Sequence, residues 1–419
     1  MKIAWFSPLY DHTSRELKFD NNSRAAYTTF HIVPALLNQF EIDLFYAGPQ
    51  TQVTLAGGVK APVYNYLNAA LMAERSPYDL YVYLVEDSPY SGWVRHHLGL
   101  KPGIVWFHDI LFQNRAPDPL SHSPWTYVIE ALRSKAISLP EQEVWPETND
   151  PYPWRETLLS LATVFSSPWA QGEYRRRVSG RRGIVQAIEG DFVATPSTTI
   201  GYPILQNSRK TNSKNIGIVG GANCEDRVSK ILTAALPDQP LTWFVKTCER
   251  KNIERFLKLY PKHNLSIVSY DSPEDFKLLT SSVGLLFMLH YSLYGSLSPW
   301  LEIAQQAGVV CVVNDYGLAE YLPSSEVLKV PVGSEELWYI KEILREWQTA
   351  DIKIYGLSTD EEVVLCSYEP VENLAQEFGF FINDNAELLQ RCRAAWEKLE
   401  DWSCSWVEEA LVKAKGTHA

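Results

Sequence analysis

The sequence predicts an α/β protein of two domains, each built on a parallel β-sheet with helices on both faces. The chain has 419 residues, 46% of them hydrophobic, which is enough for two separate cores. Short, continuously apolar segments alternate with segments of helical periodicity, as is typical of parallel strands connected by helices. A wholly polar run at 207–215 separates two such series and predicts a linker.

The first series predicts a Rossmann-like domain over residues 1–206. Its predicted strands are 3–6, 42–46, 78–85, 104–107, 164–166 and 199–201. Apolar residues at helical spacing between Ala26 and Leu37 predict the first helix, and Pro34 should kink it. A second helix is expected near 93–98.

The second series predicts a Rossmann-like domain over residues 216–380. Its predicted strands are 216–219, 241–245, 265–268, 284–289 and 309–313, with helices fitting at 274–279 and 301–307. In residues 381–419 apolar side chains, among them Trp396, Trp402 and Trp406, recur at three- and four-residue spacing, which indicates an amphipathic helix or a kinked pair. We expect this helix to cross back onto the first domain, because the helices of the second domain already cover its own sheet.

Composition argues against several classes of function. A formal net charge of −12 does not favour binding to nucleic acid or to an anionic membrane surface. The six cysteines show no metal-binding spacing, so no metal site is expected, and their pattern is typical of a reducing compartment. The segment MKIAWFSPL lacks the features of a signal peptide, and no apolar stretch reaches membrane-spanning length, so the sequence predicts a cytoplasmic protein.

Ligands of open parallel sheets bind beyond the carboxyl ends of the strands. In the first domain this rule selects Ser7-Pro8, Asp87 and His108-Asp109. His108 is the histidine placed at a strand end there, so it is a candidate for ligand contact, although a structural role is equally consistent with its position. Asp109 either fixes the tautomer of His108 or caps the following turn.

In the second domain the same rule selects Gly220-Gly221 and the loop that ends at Ser298. Glycines after a strand let the backbone approach a phosphate, and a helix N-terminus favours anions. The small-residue loop of Tyr294, Gly295, Ser296, Leu297 and Ser298 also suits a phosphate, and Glu302 follows on the next helix. Glu302 either accepts ribose hydroxyls or only complements the helix dipole. The dinucleotide fingerprint and the P-loop motif are both absent from the sequence.

Three segments resemble a known family. The helix Val33–Leu37, the strand end Trp106–Leu111 and the run from Gly308 to Glu320 are similar to those of family-four glycosyltransferases, which have the GT-B fold. That fold has two Rossmann-like domains with parallel sheets facing a central cleft. The resemblance implies retaining, metal-independent transfer from a nucleoside-diphosphate sugar, without a cofactor, to a glycan, lipid-linked or small-molecule acceptor.

The resemblance also implies roles for individual residues. His108 would lie beside the donor sugar, the Gly295 loop would hold the diphosphate, and Glu302 would hold the ribose. Two acidic positions of the family correspond here to Tyr294 and Glu302, or to Gly295 and Ile303. The family's arginine and lysine correspond to Gly221 and Asp226, so Arg227, Lys246 and Arg24 are the candidate replacement cations.

Three functions remain open from the sequence. The first is an active glycosyltransferase. The second is a catalytically silent GT-B protein that acts as a partner subunit or a sugar-binding module, which the altered diphosphate motifs favour. The third is a GT-B enzyme of another class, such as an epimerase or a phosphorylase.

Overall fold

A computed structural model gives the fold of the chain. It describes residues 1–9, 23–87, 91–110, 112, 156, 159–167, 170–172, 174, 197–199, 213–220, 225–247, 250–258, 263–289, 299–316, 319, 322, 327–349, 371–387, 389–390 and 393–394. The chain divides into two compact units. The first comprises Met1–Asp11, Ala25–Gly201 and Val371–Ala419, and the second His12–Arg24 and Tyr202–Pro370.

The first unit is built on an eight-stranded sheet. Its strands are β1 (Lys2–Phe6), β2 (Glu41–Tyr46), β3 (Gln52–Thr54), β4 (Lys60–Asn65), β5 (Leu80–Val85), β6 (Gly103–Phe107), β7 (Ser160–Phe165) and β8 (Ser197–Thr199). Their spatial order is β3-β4-β2-β1-β5-β6-β7-β8, and each neighbouring pair is parallel except β3 with β4. The helices described beside it are α1 (Arg24–Leu36), α2 (Ala69–Arg75) and α3 (Gly92–Leu98).

The second unit is built on a six-stranded, all-parallel sheet. Its strands are β9 (Ile216–Val219), β10 (Leu241–Lys246), β11 (Leu265–Tyr270), β12 (Leu285–Met288), β13 (Val310–Asp315) and β14 (Val327–Pro331), in the spatial order β11-β10-β9-β12-β13-β14. Its described helices are α4 (Glu225–Ala234), α5 (Arg250–Leu257), α6 (Pro273–Thr280), α7 (Pro299–Gln306) and α8 (Glu336–Thr349). Two parallel sheets with helices between their strands confirm the predicted α/β class.

The central strands form because both of their faces are buried. Residues 3–6, 104–107 and 216–219 are buried along their whole length, so continuous apolar runs are required rather than alternating ones. Gly217 in β9 shows how tightly these faces pack. A Cβ there would lie 2.5 Å from Leu286 Cδ1 and 2.7 Å from Phe244 Cε2, so a larger residue would force two core side chains apart.

Several strands differ from the sequence prediction. β7 begins at Ser160, four residues before the predicted start, and β8 is Ser197–Thr199 instead of 199–201. β3 and β4 were not predicted, because they are short segments toward the edge of the sheet in which only alternate residues are buried. Pro34 lies inside α1, as the sequence predicts.

The end of the predicted linker is bound to the second unit. The Lys214 ammonium donates to the Trp347 and Gln348 carbonyl oxygens at 3.3 and 3.2 Å, and the Trp347 indole donates to the Lys214 carbonyl oxygen at 3.3 Å. The Ser213 hydroxyl donates to the Ser282 carbonyl oxygen at 2.8 Å. Residues 213–215 of the polar run are therefore a hydrogen-bonded segment that precedes β9. Residues 207–212 of the predicted linker lie outside the described residues.

A helix late in the chain packs on the first sheet. This helix, α9 (Val371–Asp384), buries Phe378 between two tryptophans of that sheet. The Phe378 ring stacks on Trp106 with centroids 5.1 Å apart and meets Trp5 edge-on at 5.7 Å. The predicted boundary at 381 falls inside α9. The tryptophan-bearing segment beyond it lies outside the described residues.

A buried polar pair fixes α3 against β5. The Tyr83 hydroxyl donates to the Lys101 carbonyl oxygen at 2.7 Å and lies 3.0 Å from His97 Nδ1. Because the hydroxyl has one proton and gives it to the carbonyl, His97 Nδ1 must carry the proton of the second contact. Phe6 stacks on the imidazole at 4.1 Å, and burial lowers the pKa of His97 to about 3.

We expect His97 to make the protein less stable as the pH falls from about 6.5 toward 3. Below about pH 6.5 the unfolded state binds a proton on this histidine, whereas the folded state does not. The free energy of unfolding therefore falls by about 1.4 kcal/mol for each pH unit below 6.5. Urea unfolding at pH 7.5 and 5.0 measures the effect. His97→Gln should remove about 2 kcal/mol of the wild-type pH dependence. The exposed control His96→Gln should retain most of it, because burial is the largest cause of the lowered pKa of His97 and the charge of His96 is a smaller one. An equal pH dependence in His97→Gln and wild type contradicts the buried neutral state.

Candidate functional site

The carboxyl edge of the first sheet gathers polar side chains from four neighbouring strands. Ser7 follows β1, Glu86 and Asp87 follow β5, His108 and Asp109 follow β6, and Ser166 follows β7. These strands are adjacent and parallel, so their ends meet at one edge. The edge is therefore the candidate site of this unit, as the position of strand ends predicts.

His108 continues β6 as a buried residue. Its backbone N–H donates to the Val85 carbonyl oxygen at 2.9 Å, so the ladder between β5 and β6 extends to this position. The imidazole is fully buried and stacks on Trp106, with centroids 5.8 Å apart and an interplanar angle of 16°. His108 Nδ1 lies 2.7 Å from the Ser166 hydroxyl oxygen, which in turn accepts from the Trp106 indole at 3.3 Å.

Asp109 contacts the neighbouring strand end. Its Oδ2 accepts from the Asp87 backbone N–H at 2.7 Å, so the carboxylate ties the loop after β6 to the loop after β5. The described partner of His108 Nδ1 is Ser166, which the sequence analysis did not single out. The signal that was available is its position as the last residue of the predicted strand 164–166, which lies beside β6 in the sheet.

Glu86 is a second residue that sequence reasoning missed. Its carboxylate is 3% exposed and accepts from the Ala25 backbone N–H at 3.0 Å, in the first turn of α1. A helix N-terminus favours a negative charge, and the Glu86 carboxylate supplies one at the N-terminus of α1. Arg24, the candidate cation near this N-terminus, is the first residue of α1 and is buried, and the division into units assigns it to the second unit.

Ser7 and Pro8 are buried and hydrogen-bonded to each other. The Ser7 hydroxyl oxygen lies 2.7 Å from the Pro8 carbonyl oxygen and accepts from Thr29 Oγ1 at 2.7 Å. Thr29 Oγ1 accepts in turn from the Trp5 indole at 2.9 Å. This chain of hydrogen bonds fixes the turn after β1 against α1.

In the second unit, Gly220 follows β9 and Lys246 ends β10, on neighbouring strands. Gly220 has a φ of 155°, which L side chains rarely adopt, and its carbonyl oxygen accepts from the Trp243 indole at 2.9 Å. Arg227 lies in the first turn of α4 and is buried, and Lys246 is half-buried. Gly221 and the loop from Tyr294 through Gly295, Ser296 and Leu297 to Ser298 lie outside the described residues. Glu302 is the fourth residue of α7.

A buried carboxylate joins three elements of the second unit. Glu336, at the start of α8, is fully buried. Its Oε1 accepts from Asn314 Nδ2 of β13 at 3.2 Å, and its Oε2 pairs with the Lys230 ammonium of α4. The pair ties α4, which follows the Gly220 turn, to the carboxyl end of β13. Sequence reasoning missed Glu336, since its partners lie 22 and 106 residues away.

A cavity of about 430 Å³ lies in the first unit, at the opposite edge of the sheet. Its lining includes residues at the beginnings of β5, β6 and β7, namely Leu80, Pro102 and Leu161, together with Leu389. It is therefore separate from the strand ends described above. In the part of the chain that the structure describes, no group of three or more His, Cys, Asp or Glu side chains is placed to hold a metal ion. The helices described include none long and apolar enough to cross a membrane.

Comparison with known proteins identifies a shared fold. No family model matches the chain, and no curated protein matches its sequence. The structure is similar to sucrose-phosphate synthase from Thermosynechococcus elongatus, with a TM-score of 0.52 and 13% identity over 98% of this chain and 99% of that one. The lipopolysaccharide glycosyltransferase WaaG aligns at a TM-score of 0.48 and 12% identity over 94% and 98% of the two chains. UDP-GlcNAc 2-epimerase from Neisseria meningitidis aligns at 0.43 and 12% over 92% and 100%. The predicted α/β fold class of the GT-B type, with two units each built on a mainly parallel sheet, is confirmed.

We expect Glu336→Ala to lower the free energy of unfolding by about 3 kcal/mol, because it leaves the buried Asn314 amide without its acceptor and breaks the ion pair with Lys230. Glu335→Ala is the matched control, since Glu335 is the exposed neighbour in sequence and its removal should cost less than about 0.5 kcal/mol. Urea unfolding of the three proteins measures the difference. Equal stabilities for Glu336→Ala and Glu335→Ala contradict the bridging role.

Proposed function

We propose that this protein is a glycosyltransferase that transfers a sugar from a nucleoside-diphosphate sugar to an acceptor hydroxyl, with retention and without a metal ion. The observation that carries the proposal is the fold likeness to sucrose-phosphate synthase over nearly the whole of both chains. The candidate residues at the carboxyl edges of the two sheets support it, since that edge is where ligands of open parallel sheets bind. No cofactor is required by this reaction.

The second unit supplies the donor site in this proposal. The Gly220 turn gives the diphosphate close access to the backbone, and Arg227 and Lys246 supply positive charge near the ends of β9 and β10. The loop of residues 294–298 adds backbone donors, and Glu302 accepts from the ribose hydroxyls. The acidic net charge of the chain makes local cations at this edge important, because a diphosphate is otherwise repelled.

The first unit supplies the acceptor side and the residues beside the transferred sugar. Ser7, Pro8, Arg24 and Asp87 are the proposed acceptor-side residues, and His108 and Asp109 the proposed catalytic residues. Glu86, Asp87 and Asp109 place three carboxyl groups at this edge. Such an edge suits a hydroxyl-bearing glycan, lipid-linked or small-molecule acceptor better than an anionic one, because hydroxyls donate to carboxylates.

Retention places few demands on a protein base. The acceptor hydroxyl and the leaving diphosphate lie on the same face of the sugar, so the diphosphate itself is placed to take the acceptor proton. The protein then contributes orientation and electrostatic stabilisation. A buried imidazole that hydrogen-bonds a hydroxyl of the donor sugar contributes orientation of this kind.

We expect nucleoside diphosphates and their sugars to raise the melting temperature, since ligand binding stabilises the folded state by mass action. Glu302→Gln should weaken donor binding, measured by calorimetry, while the exposed control Glu335→Gln should not.

NMR of the product formed from the donor that binds should then show the same anomeric configuration as the donor. Absence of binding by every nucleoside diphosphate contradicts the proposed function. Unchanged affinity in a folded Glu302→Gln variant contradicts the role of Glu302 alone.

We expect His108→Ala to reduce turnover by about 100-fold or more while leaving nucleotide affinity largely unchanged, because the contact orients the sugar and not the nucleotide. His108→Asn should recover part of the loss, since an amide also donates a hydrogen bond. Steady-state kinetics with saturating donor measure the effect, and the exposed His96→Ala serves as the control. Wild-type turnover in His108→Ala would show that His108 is structural.

A further inference from the structure

The register of β6 and β7 places His108 beside Ser166. Trp106 pairs with Val164 and Phe107 with Phe165, so the next residues along the two strands are neighbours. The Ser166 backbone N–H also donates to the Phe107 carbonyl oxygen at 3.2 Å, which extends the ladder to this point. Both residues are buried, at 0% and 7% exposure. The contact of 2.7 Å between His108 Nδ1 and Ser166 Oγ is therefore fixed by strand pairing.

The hydrogen bonds of Ser166 decide which way the proton points. A serine hydroxyl has one proton and two lone pairs, whereas an indole N–H can only donate. The Trp106 indole donates to Ser166 Oγ at 3.3 Å and so uses one lone pair. If His108 Nδ1 also donated, the buried Ser166 proton would have no acceptor in these contacts, which costs free energy. The arrangement that gives the Ser166 proton an acceptor, and still lets Ser166 Oγ accept from Trp106, has Ser166 donating to an unprotonated Nδ1.

We propose that Ser166 is a positioning residue that holds His108 as the tautomer with its proton on Nε2. A neutral imidazole whose Nδ1 accepts a hydrogen bond carries its hydrogen on Nε2. His108 then presents a donor to its ligand and selects an oxygen with an available lone pair. The Trp106 ring supports this state, because stacking at 5.8 Å restricts rotation of the imidazole and the same indole orients the serine.

This inference deepens the proposed function and rests on it for the ligand. It assigns His108 the role of a hydrogen-bond donor to an oxygen of the donor sugar, and it excludes His108 Nε2 as the base that takes the acceptor proton. It also assigns the choice of His108 tautomer to Ser166 and not to the adjacent Asp109, since the described contact of Asp109 Oδ2 is with the Asp87 backbone N–H.

Nitrogen NMR tests the tautomer without any transfer reaction. In protein labelled with ¹⁵N-histidine, two-bond ¹H–¹⁵N correlation spectra distinguish the Nε2–H tautomer, the Nδ1–H tautomer and the imidazolium. His108→Asn identifies the His108 signals by their disappearance. We expect wild type to show the Nε2–H pattern at pH 7.5, and Ser166→Ala to populate the Nδ1–H form. Ser166→Thr retains the hydroxyl and should restore the wild-type pattern.

Ser160→Ala is the matched control, because Ser160 is a buried serine at the other end of the same strand. It should leave the His108 pattern unchanged. A wild-type His108 in the Nδ1–H or imidazolium form overturns the inference, and so does a folded Ser166→Ala variant with the wild-type pattern.

Kinetics separate this inference from the proposed function. With a donor that supports transfer, Ser166→Ala should lower kcat between about 10- and 100-fold, the range seen for hydrogen-bond partners that orient metal-binding histidines, with KM for the nucleotide sugar nearly unchanged. A wild-type kcat in Ser166→Ala overturns the positioning role. If the NMR result is as expected but no donor supports transfer, the tautomer assignment holds and the proposed function fails.

Discussion

Parallel pairing of neighbouring strands is the constraint on which both candidate sites depend. Because β1, β5, β6 and β7 run in the same direction, their carboxyl ends lie at one edge of the first sheet. Residues more than 150 positions apart in sequence are thereby brought to the same edge. The same constraint brings Gly220 and Lys246 together in the second unit. In the first sheet, a strand of opposite direction would move its terminal side chain to the other edge, where the cavity lined by Leu80 and Leu161 lies.

The two edges use their buried polar groups differently. In the first unit, hydrogen bonds join strand ends to one another and to α1, so the side chains of Ser7, Glu86 and Ser166 are held in place before any ligand binds. In the second unit the buried carboxylate of Glu336 lies one step behind the edge and fixes α4 relative to β13. In both units these side chains are already ordered in the folded protein, so ligand binding does not have to offset the free-energy cost of ordering them.

Local patterns were sufficient to predict the central strands but not the groups that position the site. The buried runs at 3–6, 104–107 and 216–219 are apolar throughout, so composition alone reveals them. The contact of Ser166 with His108 depends on the register of β6 against β7, which pairs residues 58 positions apart in sequence. Glu336 depends similarly on Asn314 and Lys230. Sequence periodicity carries no information on such pairings. This is why Gly220 and His108 could be chosen as candidates from their place after predicted strands, whereas Glu336 and Ser166 could not.

The position of Phe378 has a consequence for biosynthesis. Its ring covers Trp5 and Trp106 of the first sheet, yet α9 is translated after the whole of the second unit. Domains usually fold in order as the chain leaves the ribosome. The indole surface that Phe378 covers lacks this cover until residue 378 has emerged, so we expect the nascent chain to expose part of it during synthesis of the second unit. Transiently exposed apolar surface of this kind favours aggregation and chaperone binding, so we expect the incomplete chain to need more protection than the finished one.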